Sequence, residues 1–82
     1  SKEVLELMRG EMLVAQQDFF NARKAFAKAL EENLAYAPAH VRLARVALAQ
    51  GELDEALQEY EQAVQIEDAY PAAHNDYGVA LL

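Results

Sequence analysis

Apolar residues recur along this chain at three- and four-residue spacings, and short polar turns interrupt them. That periodicity is the mark of amphipathic helices. Val4, Leu5, Leu7, Met8, Met12, Leu13 and Ala15 form the stripe of a first helix over 4–16. Phe19, Ala22, Phe26, Ala29 and Leu30 do the same for a second over 19–32. A third over 38–50 turns Leu43, Val46 and Ala47 inward. A fourth over 53–66 carries Leu53, Ala56, Leu57, Tyr60, Ala63, Val64 and Ile66. A fifth opens at Pro71 and carries Tyr77, Gly78, Leu81 and Leu82.

The punctuation agrees with these bounds. Asp18 is a good N-cap, because its carboxylate accepts backbone N–H groups left free at a helix start. Glu52, in the same place before the fourth helix, is a weaker one. Pro38 suits a first helical turn, where its missing N–H is no loss. Gly51 is the natural left-handed residue after a helix. Gly10 lies inside the first helix, where glycine is costly, so it is expected to admit a close neighbour.

The elements repeat. At an offset of 34, Ala15 falls on Ala49, Gln16 on Gln50, Ala22 on Ala56, Phe26 on Tyr60, Ala29 on Ala63 and Tyr36 on Tyr70. One more offset takes Ala39 to Ala73, His40 to His74, Ala44 to Gly78 and Leu48 to Leu82. A period in this range signals stacked helix pairs. The chain divides into a repeat over 3–36, a repeat over 37–70 and a partial repeat over 71–82. The pattern breaks off halfway through the third repeat, so a longer parent array is expected. The apolar run 79–82 is unlike the polar outer face of a terminal cap.

Composition narrows the function. With 82 residues there is room for one small domain. Seven basic against fourteen acidic side chains give a net charge of −7, which disfavours nucleic acid. The excess is uneven: net −2 over 3–36 and −5 over 37–70. Cysteine is absent, which removes disulfides and thiolate chemistry. No apolar run reaches the length of a membrane span. The compartment stays open: the cytoplasm is favoured, and the periplasm or secretion would require a removed signal peptide. No catalytic constellation is found, so an enzyme is not expected, nor is a cofactor. His40 and His74 recur at one repeat position. They lack further ligands for a metal site and are expected to fill a partly buried aromatic position. Arg23, Lys24 and Lys28 read as a solvated basic face. Tyr36 and Tyr70 are expected to seal the seams between repeats.

In small-residue placement and spacing the chain resembles the tetratricopeptide repeat family. The matching residues are His40, Leu43-Ala44, Ala47, Ala56, Tyr60 and Ala63 in the central repeat. In the first they are Glu6, Arg9-Gly10, Leu13, Ala22, Phe26 and Ala29, with Glu6 and Arg9 departing from the pattern. In the last they are His74, Tyr77-Gly78 and Leu81. The family's repeat-end proline is replaced by Leu34 and Asp68. The resemblance implies an all-α, right-handed solenoid of antiparallel helix hairpins, about five helices in all. It implies a concave groove lined by the first helix of each pair, and a protein or peptide partner held there without catalysis.

Carried over by position, the groove residues are Leu7, Glu11 and Val14, then Val41, Arg42, Arg45 and Leu48, then Asn75 and Val79, with Ala72 beside them. Some family members clamp a peptide's carboxylate end with lysine and asparagine. Leu7, Glu11 and Arg42 stand in those places, so a two-carboxylate clamp is not expected. The groove reads instead as apolar, with Arg42 and Arg45 as charged handles and Arg45 paired to Glu11 when empty. The alternative function is a structural module that self-associates, as a homodimer for instance, through Tyr77, Leu81 and Leu82.

Overall fold

The computed structural model describes residues 1–67 and 71–82. The described residues form five helices: α1 (Lys2–Ala15), α2 (Phe19–Glu32), α3 (Ala37–Ala49), α4 (Leu53–Ile66) and α5 (Pro71–Leu81). Each packs on the next. α1 and α2 make one hairpin, α3 and α4 a second, and α5 lies against α4. Asp68 and Tyr70 lie outside the described residues, as does the side chain of Ala72.

The two hairpin turns are built alike. After α1, the N–H of Gln17 donates to the carbonyl of Val14 at 2.8 Å, and that of Asp18 to Leu13 at 2.9 Å. After α3, Gly51 donates to Leu48 at 3.0 Å and Glu52 to Ala47 at 2.8 Å. This pair of bonds closes a helix through one left-handed residue. Gly51 adopts φ 78° and Gln17 adopts φ 61°, at equivalent positions. Asp18 then starts α2, its side chain accepting from the Asn21 N–H at 3.3 Å. Glu52 makes no such cap for α4.

Two cores hold the hairpins together. The first joins Leu7, Ala22, Phe26 and Ala29 to Ala39, Leu43 and Val46 of α3. The second joins Ala37, Val41, Ala44, Ala47, Ala56, Tyr60 and Ala63 to Ala73 of α5. Ala22, Ala29, Ala56 and Ala63 are all fully buried. α3 therefore feeds both cores from opposite faces, with Ala39, Leu43 and Val46 on one side and Ala37, Val41 and Ala44 on the other. That double burial explains why its apolar residues run almost all the way round.

Some expectations need correcting. The α1 stripe is narrower than its sequence suggests: Leu7 and Gly10 are buried, but Leu5, Met8 and Met12 are 65%, 55% and 66% exposed. α1 packs on α2 and only slightly on α3, whereas α3 packs on α1, α2 and α4, so fewer of the apolar residues of α1 find cover. Leu53 and Ile66 are also exposed. His40 is buried and its Nδ1 lies 2.7 Å from Glu59 Oε1, whereas His74 is exposed. The two histidines thus occupy different environments. Glu6, in the aromatic position of the first repeat, has a buried Oε1 with no hydrogen bond, 3.5 Å from Arg9.

Glycine positions 10 and 78 are equivalent in register but opposite in surroundings. A Cβ at Gly10 would lie 2.6 Å from Cδ1 and 2.8 Å from Cζ of the buried Phe26 ring. At Gly78 a Cβ meets nothing within 4 Å. Gly10→Ala is expected to cost about 1–3 kcal/mol, as overpacking does. Gly78→Ala is expected to stabilise by about 0.5–1 kcal/mol through helix propensity. Urea denaturation of both variants measures this, and equal effects would refute it. By the same method Gln17→Gly should stabilise by about 1 kcal/mol, since glycine carries no Cβ penalty at positive φ.

Candidate binding face

The face shared by α1, α3 and α5 is tied across by two ion pairs. Arg42 Nε donates to Glu11 Oε1 at 2.6 Å, joining α3 to α1. Arg45 Nε donates to Asp76 Oδ2 at 2.6 Å, joining α3 to α5. Both pairs span 31 residues. The expected pairing of Arg45 with Glu11 is therefore wrong by one helical turn. The stagger brings a residue opposite one that lies three positions, roughly 4.5 Å, earlier in its own repeat.

Behind Arg45 the pair is anchored by the second core. Tyr60, almost fully buried, donates its hydroxyl to Asp76 Oδ2 at 3.4 Å. Burial pulls the Arg45 guanidinium down, but the hydrogen bond and charge of Asp76 outweigh it, so its net direction is upward. It stays cationic. The Tyr60 phenol is pushed up, first by burial and then by the adjacent Asp76 charge.

The other groove residues divide. Val41 is fully buried in the second core and Leu7 is nearly so in the first. Neither lines a surface: contrary to expectation, both belong to the core and not to the groove. Each is an aliphatic side chain in the same buried cluster as its own hairpin's aromatic residue. Such burial stabilises by about 1.5–3 kcal/mol, which a groove position would forgo. Val14 is half-buried against the first core, and Arg42 is also intermediate. Glu11, Arg45, Leu48, Asn75 and Val79 are accessible, with Leu48 at 39% and Val79 at 64%. Of the residues at the C-terminal end, Leu81 and Leu82 are exposed, but Tyr77 packs partly into the second core.

Outside this face, Arg23 belongs to a different network than its sequence neighbours suggest. It reaches from α2 to the turn before α4, donating to Gln50 Oε1 at 2.6 Å and pairing with Glu52 and Glu55. It is a fastener between the hairpins, a role that a spacing of 27 to 32 residues hides in the sequence. Tyr36 packs against the first core at the start of α3, as a seam residue would. Among the described residues no group of three or more metal-ligating side chains comes together. No helix among them is long and apolar enough to cross a membrane.

The Tyr60 environment has a consequence at alkaline pH. The unfolded chain ionises this phenol near its ordinary value of 10.0, while the folded chain holds the proton to higher pH. Below that value the contribution to stability is constant. Above it the unfolded state releases its proton first, so stability falls as pH rises, until the folded phenol also ionises. Urea midpoints taken across this range should show the fall, and Tyr60→Phe should make it shallower. An unchanged slope in that variant would contradict the assignment.

Residues 44–82 match the model of the family described as TPR repeat. The second TPR of Spaghetti (RPAP3), solved bound to the HSP90 peptide SRMEEVD, has a TM-score of 0.90 at 20% identity, over 98% of this chain and 74% of that one. The first TPR of the same protein, bound to the same peptide, gives 0.85 at 24% identity, over 95% of this chain and 62% of that one. This chain thus spans less than two thirds of the latter. No curated protein matches the sequence. The matched segment carries Ala56, Tyr60 and Ala63, and the first hairpin repeats their packing with Ala22, Phe26 and Ala29. Residues 44–82 thus match the TPR repeat family, and the fold shared with the two TPR structures extends through the first hairpin as well.

Proposed function

We propose that this chain is a non-catalytic module that holds a peptide or helix of a partner protein against the α1–α3–α5 face. The observation that carries the reading is the pair of cross-helix arginines at 42 and 45, set beside exposed Leu48 and Val79. Arginine's planar fork suits a carboxylate. Exposed ion pairs are worth little, so an acidic group of a ligand can exchange for Glu11 or Asp76. The two similar folds described above were solved with a peptide that ends in acidic residues, which supports a peptide as the class of partner. The details differ here: Leu7 is buried, and Glu11 and Arg42 satisfy each other. The favoured ligand is a segment with apolar anchors and one acidic side chain, rather than a clustered acidic terminus.

Self-association through Leu81 and Leu82 is the second reading, favoured by their exposure at the end of α5. Sedimentation across a concentration series separates it from the first, since a strict monomer removes it.

Selection of peptides from a random display library, followed by affinity measurement, tests the first reading. Selected peptides should pair apolar residues with an aspartate or glutamate. Arg45→Gln should weaken them on the order of tenfold while changing stability by less than about 1 kcal/mol. Peptides indifferent to Arg42, Arg45, Leu48 and Val79 would remove this face from the account.

A further inference from the structure

A second charged feature lies on the opposite end of the first hairpin. α1 and α2 enclose an open cleft of about 650 Å³, lined by Arg9 and Leu13 from α1 and by Asn21, Lys24, Ala25 and Lys28 among others from α2. Its direction follows from the repeat register. The counterpart of Arg9 is Leu43, which packs into the first core toward the preceding hairpin. Arg9 therefore points away from α3, to a side of the first hairpin that the α1–α3–α5 face does not reach.

The cleft gathers the cations that the rest of the fold does not use. Of the seven basic side chains, Arg23, Arg42 and Arg45 are each tied to a carboxylate on another helix or on the turn leading into it. Among the remaining four, Arg9, Lys24 and Lys28 all line this one cleft. Among the described residues Arg9 pairs with Glu6 of its own helix, at 3.5 Å, and stays 66% exposed. Lys24 lies over the ring of Phe20, 4.4 Å from its centroid, a position that holds the ammonium without neutralising it. Lys24 and Lys28 sit four residues apart on one helical face, where like charges repel. Glu31 is the single acidic residue of the lining. A positive cleft thus persists in a chain whose net charge is −7.

Its walls are two-sided in character. Leu13, Ala25 and Ala27 provide an apolar floor, and Phe20, 67% exposed, stands beside Lys24. Arginine at position 9 is unsuited to a dry helix junction of the kind Leu43 makes, because a buried guanidinium without a partner is costly. The geometry points to a second interaction surface here: a docking site for an acidic peptide segment, with carboxylates against Arg9, Lys24 and Lys28 and an apolar side chain on Phe20 and Leu13. This surface is independent of the α1–α3–α5 face.

The test uses the 82-residue chain and a short labelled peptide of alternating glutamate and leucine. A matched peptide with glutamine replacing glutamate serves as control. Fluorescence polarisation should show the acidic peptide binding on the order of tenfold more tightly or better, and binding should weaken as salt rises. Amide shifts on titration should centre on residues 21–31. The double variant Lys24→Glu with Lys28→Glu should abolish binding with helicity retained, whereas Arg42→Gln with Arg45→Gln should leave it intact. Equal binding of both peptides overturns the proposal, and so does loss in the arginine variant alone. Phosphatidylserine vesicles form a separate arm: vesicle binding lost with the lysines, without peptide binding, assigns the cleft to a membrane surface and overturns it too.

Discussion

The approach of paired helices around one buried ring is the constraint on which the structure depends. Phe26 is clasped by Ala22 and Ala29 of its own helix and by Gly10 of the opposite one. Tyr60 repeats the arrangement with Ala56, Ala63 and Ala44. A ring contributes a large apolar area, but only if the facing backbone comes near enough to cover it. Residues with little or no side chain permit that, so small and aromatic positions have to be read as one unit. The difference between Gly10 and Ala44 shows that the clearance is not the same in the two hairpins.

Sharing α3 between two cores makes the hairpins interdependent. Ala39, Leu43 and Val46 complete the first core, and Val41 and Ala44 sit in the second. Loss of α3 would open both. Arg23 strengthens the same junction from outside by bonding α2 to the turn between α3 and α4. In a linear stack each unit gains stability from its neighbours, and here most of that coupling passes through a single helix.

How far the sequence could be read depends on the length scale of the interaction. Helix bounds, Asp18 as a cap, Gly51 as a left-handed residue and the burial of the four recurring alanines all follow from local chemistry and the repeat. Gln17 was hidden because glutamine carries no mark of positive φ, although its register partner is Gly51. Val41 and Leu7 lie in the core and not in the groove, because a helix with apolar residues on two sides does not announce which side meets solvent. The Arg42–Glu11 and Arg45–Asp76 pairs depend on the stagger between stacked hairpins, which no single repeat encodes. The cleft at Arg9, Lys24 and Lys28 was half visible: the lysines stood out, but Arg9 joins them only through the fold, and Arg23 leaves them for the same reason.

The charge pattern on the α1–α3–α5 face reverses from one step to the next. Glu11 on α1 faces Arg42 on α3, and Arg45 on α3 faces Asp76 on α5. α3 is thus the cationic partner in both directions, between two helices that offer carboxylates. Slipping α1 by one turn against α3 would move Glu11 toward Arg45 and leave Arg42 facing Met8, so the pairing opposes such a slip only weakly, through one lost ion pair. What it does more strongly is assign the face a neutral, exchangeable surface, since each arginine there already has a carboxylate that a ligand must replace. The cleft on the other side of α1 has no such internal competitor except Glu6 and Glu31. An acidic ligand therefore meets a lower electrostatic cost at the cleft, whereas on the shared helix face apolar contacts have to supply the discrimination.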